Sequence, residues 1–116
     1  MRARVASLCA VAALCVVSAC APRPADILLF AGRGTSPNDV SAIDAILRER
    51  GWDFVAASTS QLNALSEAQL SRYRLVIIPG GNFEEIGQGL SPEAAHRLRN
   101  AVQHGVNYLG ICAGAF

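Results

Sequence analysis

Leu75-Val76-Ile77-Ile78-Pro79-Gly80-Gly81 decides the fold: a continuous apolar run, the clearest strand in the chain, is broken sharply by a proline and two glycines. Upstream, Asp26-Ile27-Leu28-Leu29-Phe30 is a second such run between Pro24 and Gly32, as expected of a strand buried on both faces. Between the two the periodicity changes. Ser36 is placed to cap a helix with Pro37 at its first position and Asp39 near its positive end, and Val40, Ile43, Ile46 and Leu47 form one apolar stripe before Gly51. Residues 52–57 read as a strand of weak alternation, and Ser66-Glu67-Ala68-Gln69 matches a capping box opening a short helix to about Tyr73. Downstream, Ser91-Pro92-Glu93 caps a helix whose Ala95, Leu98 and Val102 face inward until Gly105, and residues 106–111 supply a fourth strand.

Buried strands alternating with amphipathic helices predict an α/β, flavodoxin-like fold with a four-stranded parallel sheet and right-handed crossovers. In the strand order 2-1-3-4 the fourth strand is left at an edge that is normally covered by a further strand and helix, so the domain is expected to be incomplete at its C-terminal side. No internal repeat or low-complexity tract interrupts the pattern.

Composition narrows the function classes. With 52% hydrophobic residues, 16% charged residues and a formal net charge of +1, the chain is not disordered and carries no electrostatic footprint for nucleic acid or an anionic membrane surface. All ten basic residues are arginines spread along the chain, which fits a solvated surface. Four cysteines do not make a disulfide scaffold.

The N-terminus reads as targeting sequence. Met1-Arg2-Ala3-Arg4 is cationic and residues 5–17 are apolar and small, the first two regions of a secretory signal peptide spanning 1–19. The run ends at Pro22-Arg23-Pro24, too soon for a membrane span of about 20 apolar residues. Val17-Ser18-Ala19-Cys20 resembles a bacterial lipobox, in which Cys20 is lipidated and becomes the mature N-terminus; ordinary cleavage near Ala19 is the alternative. Residues 20–25 then form a lipidated cysteine and a stiff tether, and 26–116 the domain. Cys9 and Cys15 leave with the signal, and Cys112 remains as the single thiol of an oxidising compartment.

In an open parallel sheet, functional groups gather beyond the carboxyl ends of the strands. Three loops lie there: Gly32-Arg33-Gly34-Thr35-Ser36-Pro37, Pro79-Gly80-Gly81-Asn82 and Gly110-Ile111-Cys112-Ala113-Gly114. The third is a cysteine version of the nucleophile elbow, whose glycines allow a tight strand-to-helix turn that projects the nucleophile. A thiol at a helix N-terminus favours thiolate, and the amides of Ala113 and the Gly80-Gly81 turn are placed to form an oxyanion hole. The competing reading is a buried, inert cysteine beside glycines needed for packing. Gly34, Thr35, Ser36 and Asn82 are candidate ligand-binding residues, and the loop at residues 32–37 has amides to receive phosphate or carboxylate beside Arg33. It matches no nucleotide-binding signature.

These motifs carry a resemblance. Residues 27–116 resemble the N-terminal domain of biotin-protein ligases, a family related to the class I glutamine amidotransferase-like three-layer fold. Gly32-Arg33-Gly34-Thr35-Ser36-Pro37, Val76-Ile77-Ile78-Pro79-Gly80-Gly81 and Asn107-Tyr108-Leu109-Gly110-Ile111-Cys112-Ala113-Gly114 carry it, in order and at the expected strand ends. The resemblance implies that Cys112 holds the nucleophile position, that Gly80, Gly81 and Ala113 form the oxyanion loop, and that residues 34–36 wall the pocket. Two departures matter. Glutamine amidotransferases usually carry Gln where this chain has Phe116, and their histidine and acidic partner lie well downstream of the elbow.

Local substitutes for that base are poor. His96 and His104 fall on the polar face of the helix before the elbow strand, His104 at its C-terminus and His96 in solvent. Neither forms a metal site with Cys112, and no metal or cofactor is expected. Glu84 and Glu85 read as solvated loop residues, with a role beside the cysteine as the alternative; Trp52, Phe54 and Tyr108 read as core. The expectation is a secreted, lipid-anchored envelope domain of amidotransferase-like type, with an elbow cysteine but no complete triad in this chain. Its partners are a small-molecule ligand and, through Cys20, the membrane. The alternatives are a non-catalytic module holding a small acyl or amide ligand, and a truncated thiol-dependent amidohydrolase.

Overall fold

The computed structural model describes residues 25–115. The expected signal peptide, Cys20 and most of the tether, together with Phe116, lie outside the described residues. In chain order the elements are β1 (Ile27–Phe30), α1 (Pro37–Glu49), β2 (Phe54–Ala57), α2 (Thr59–Ala64), α3 (Glu67–Leu70), β3 (Leu75–Ile78), α4 (Phe83–Gly89), α5 (Pro92–Gln103) and β4 (Asn107–Gly110), followed by the 3-10 turn Cys112–Ala115. The strands form one all-parallel sheet, as the alternation of elements predicts, in the flavodoxin-like order β2-β1-β3-β4.

Period-two alternation divides the core. Leu28, Phe30, Val76 and Ile78 point to one face, where Leu62 of α2, Leu70 of α3, Ile86 of α4 and Leu98 and Ala101 of α5 cover them. Ile27, Leu29 and Ile77 point to the other face and meet Leu47 of α1, with Val40, Ile43 and Phe54 alongside. The chain steps outward from β1 to β2 and then returns to β3 and β4. Right-handed crossovers therefore put α1 on one face and the later helices on the other. The reversal between β1 and β3 is the topological switch point, where loops leave a crevice.

Several readings need correction. The second and third crossovers contain two helices each. Ser58 and Gln61 form a complete capping box at α2, as Ser66 and Gln69 do at α3, so the S-x-x-Q signal occurs twice within twelve residues. Asn82 caps α4 through Oδ1, placing Glu84 and Glu85 in a first helical turn instead of a loop. The second strand begins at Phe54, leaving Trp52 in the preceding turn and 54% exposed; Phe54 is half-buried and Tyr108 is 41% exposed. Trp52 and Tyr108 are therefore not core residues. Ile46 is 52% exposed because α1 presses on the sheet along Val40, Ile43 and Leu47, so only part of the expected stripe turns inward. In α5 the buried stripe is Ala94, Leu98 and Ala101, with Ala95 and Val102 half-buried at its flank. At the edge of the sheet β4 is mostly exposed, including Tyr108 and Leu109.

Candidate functional site

Three loops leave the carboxyl ends of β1, β3 and β4, and main-chain hydrogen bonds draw them together. The Ser36 amide donates to the Gly80 carbonyl and the Asn82 amide to the Gly34 carbonyl, each at 2.8 Å, framing an antiparallel bridge between Thr35 and Gly81. The Ile111 amide donates to the Ile78 carbonyl at 3.0 Å, tying the third loop to the end of β3. Gly81 permits this closeness. It has φ +147°, and a Cβ there would overlap the Gly34 carbonyl and crowd the Ser36 amide at 2.8 Å.

Cys112 follows β4 with φ +49°, the one non-glycine residue among those described in the left-handed region. A non-glycine residue held there carries strain of about 1–3 kcal/mol, the backbone state expected of an elbow. Its thiol is free and the residue is exposed. It faces the two-glycine bend: a Cβ on Gly80 would lie 3.5 Å from Cβ of Cys112. The turn is held from beyond. The Gly114 amide donates to the Ile111 carbonyl at 2.9 Å, and the Tyr108 hydroxyl donates to the Gly114 carbonyl at 2.5 Å. Half-burial pushes the Tyr108 phenol above its ordinary pKa, favouring the neutral donor that this bond uses. From Cys112 to Ala115 the described chain makes a 3-10 turn.

The same small bend admits Asp39, which the sequence reading treated only as a helix-terminal charge. Ser36 is the N-cap of α1; it receives the Asp39 amide at 3.3 Å and donates its hydroxyl to Asp39 Oδ1 at 3.2 Å. In a capping box the third residue would take the N-cap amide, but here that amide goes to Gly80. The other carboxylate oxygen, Oδ2, lies over Gly80, where a Cβ would collide with it. Cβ of Cys112 and the Asp39 carboxylate therefore both border the space left by one missing side chain. A Ser-x-x-Asp pattern signals a cap; nothing local signals this approach.

The remaining candidates are occupied locally. Thr35 Oγ1 donates to the Gly32 carbonyl at 2.7 Å, and Asn82 Oδ1 accepts the amides of Glu84 and Glu85 at 3.0 and 3.2 Å. Among the described residues, the amides of Gly81 and Ala113 have no hydrogen-bond acceptor. His96 Nε2 pairs with the Asn100 side chain at 3.2 Å and His104 Nδ1 with the Asn100 carbonyl at 2.7 Å, both on α5 itself. Glu84 and Glu85 are exposed and complement the positive end of α4. A cavity of about 560 Å³ lies at the opposite end of the sheet among Asp26, Trp52, Asp53, Arg74 and Asn107. The strained, exposed Cys112 and this cavity are therefore on different rims.

A doubly wound, all-parallel sheet with helices on both faces defines the class: a flavodoxin-like α/β domain. The family described as biotin-protein ligase, N terminal, matches residues 25–116, and the chain belongs to that family. No curated protein and no solved structure shows a significant match.

Proposed function

We propose that the chain is an envelope domain whose Cys112 reacts with a small acyl or amide group, using the amides of Gly81 and Ala113 as oxyanion donors with Gly80 forming the floor. The observation that carries this reading is the left-handed, exposed Cys112 abutting Gly80 at the end of β4. In the reaction the sulfur adds to a carbonyl carbon as its proton passes to a base, the oxygen takes negative charge, and collapse of the adduct expels the leaving group. Amide donors aimed at the developing charge act where it appears only in the transition state. Both histidines are engaged on α5, so this chain handles activated acyl groups more readily than amides, whose amine must be protonated as it departs.

The test compares two reagents at Cys112. p-Nitrophenyl acetate forms a tetrahedral oxyanion, whereas iodoacetamide is attacked without one. Mass spectrometry of the tryptic peptide after Arg99 isolates Cys112 from the other cysteines. The expected result is acetylation roughly tenfold or more above that of N-acetylcysteinamide, scaled to the alkylation rate, as oxyanion stabilisation worth about 1.4 kcal/mol requires. Equal ratios would make Cys112 an ordinary exposed thiol. Secretion and lipid anchoring at Cys20 complete the proposal. Labelled fatty acid should enter the wild-type chain and be absent from Cys20→Ala, which should leave the membrane fraction.

A second reading, binding without turnover, is favoured by the same engagement of the histidines. It expects an acyl or amide ligand to bind equally well after Cys112→Ala.

A further inference from the structure

We propose that Asp39 makes the Cys112 site selective for substrates that carry a positive charge beside the reacting carbonyl; this rests on the reading of Cys112 as the reactive group. The absent side chain of Gly80 leaves a space that both groups border: a Cβ there would collide with Asp39 Oδ2 and lie 3.5 Å from Cβ of Cys112. Asp39 Oδ1 is bound by the Ser36 hydroxyl, which fixes the carboxylate while Oδ2 faces the bend. A group reacting at the thiol thus passes close to a carboxylate held by a hydrogen bond.

Neighbouring charges reinforce the sign. Cβ of Glu85 lies 2.8 Å from where a Cβ on Gly34 would stand, and Glu84 precedes it on the exposed first turn of α4. Arg33, a cation of the loop after β1, is tied elsewhere by its backbone: its amide donates to Thr59 Oγ1 at 2.7 Å and its Cβ lies 3.5 Å from the Cβ position of Gly89. The N-terminus of the 13-residue α1 offsets part of the Asp39 charge without reversing it, since a helix end carries about half an elementary charge. An acyl or amide group bearing an ammonium is therefore drawn to the thiol, and one bearing a carboxylate is repelled.

Two methanethiosulfonate reagents of opposite charge test this on the full chain. One carries a quaternary ammonium and the other a sulfonate; each transfers its thiol portion to sulfur and expels sulfinate. Rates at Cys112, read on the tryptic peptide after Arg99, are divided by those of N-acetylcysteinamide. The normalised cation-to-anion ratio should be roughly three- to tenfold at low salt, fall toward one near 1 M salt, collapse in Asp39→Asn and persist in Asp39→Glu. A wild-type ratio of one, or the same ratio in Asp39→Asn with a native circular dichroism spectrum, overturns the proposal. Should Asp39→Asn unfold, the salt dependence of the wild type decides. Loss of the p-nitrophenyl acetate acceleration with the charge ratio intact would remove the oxyanion reading and leave the charge selectivity standing.

Discussion

At the carboxyl ends of β1, β3 and β4 the chain is drawn tight: two 2.8 Å bonds tie the loops at Gly34 and Gly80, and a strained cysteine closes against them. At the amino ends the chain opens around a cavity of about 560 Å³ whose Trp52 stands 54% exposed. Two glycines show the difference. Gly81 and Gly51 both have positive φ, but a Cβ on Gly81 would strike the neighbouring loop, whereas one on Gly51 would meet nothing within 4 Å. Positive φ is common to both rims; close approach belongs to one. The tight rim holds chemical groups in register, and the open rim is what remains where short turns fail to fill space.

The strongest way to break this comparison is Gly81→Ala. It should cost about 3 kcal/mol or more by adding steric overlap to backbone strain, while Gly51→Ala should cost only about 1–2 kcal/mol for the left-handed backbone alone. Urea midpoints that fall equally would show that the bridge between Thr35 and Gly81 is no tighter than an open turn.

Tyr108→Phe should cost about 1 kcal/mol by removing the hydrogen bond that holds the elbow turn. It also carries a pH signature. Burial lifts the phenol above its usual 10.0 in the folded chain, so this contribution is whole below that value and is lost as pH rises through the raised one. Denaturation followed from pH 8 to 11 should show a smaller alkaline loss in Tyr108→Phe than in the wild type.

Cys112→Gly should work in the opposite direction. Relief of the left-handed strain at an exposed position is expected to stabilise the chain by about 1 kcal/mol while abolishing the thiol reactions read on the tryptic peptide after Arg99. A fall in thermal midpoint would mean that the elbow conformation is unstrained. Smallest of all, Trp52→Ala on the open rim should change stability by less than about 0.5 kcal/mol, followed by circular dichroism because this is the only tryptophan.

Legibility followed locality. Ser36 with Pro37, Ser66 with Gln69, and Ser91 with Pro92 announce α1, α3 and α5 because an N-cap satisfies amides two or three residues away. Ser58 with Gln61 carries the same signal for α2, and the strand ending at Ala57 masked it. Asn82 was read as a ligand group because it follows two glycines, although an asparagine before two glutamates is equally a helix start. Trp52 misled because aromatic residues are usual in strands, yet the strand begins two residues later and burial depends on which elements pack over the turn. Asp39 was visible as a charge on α1, but its relation to Cys112 had no local signature.

Apolar runs, turn residues and caps by themselves determined the strands, the main helices and the parallel direction of the sheet, because each depends on chemistry within a few residues or on the general need of strand–helix alternation for crossovers; the order β2-β1-β3-β4 came from the likeness to flavodoxin-like folds. They also put a cysteine between glycines after the last strand. Tertiary structure alone decided that residues 39, 80 and 112 would share one small space. The register that pairs Ile78 with Gly110 and the bridge that pairs Thr35 with Gly81 set those separations, and both are fixed only when the sheet closes.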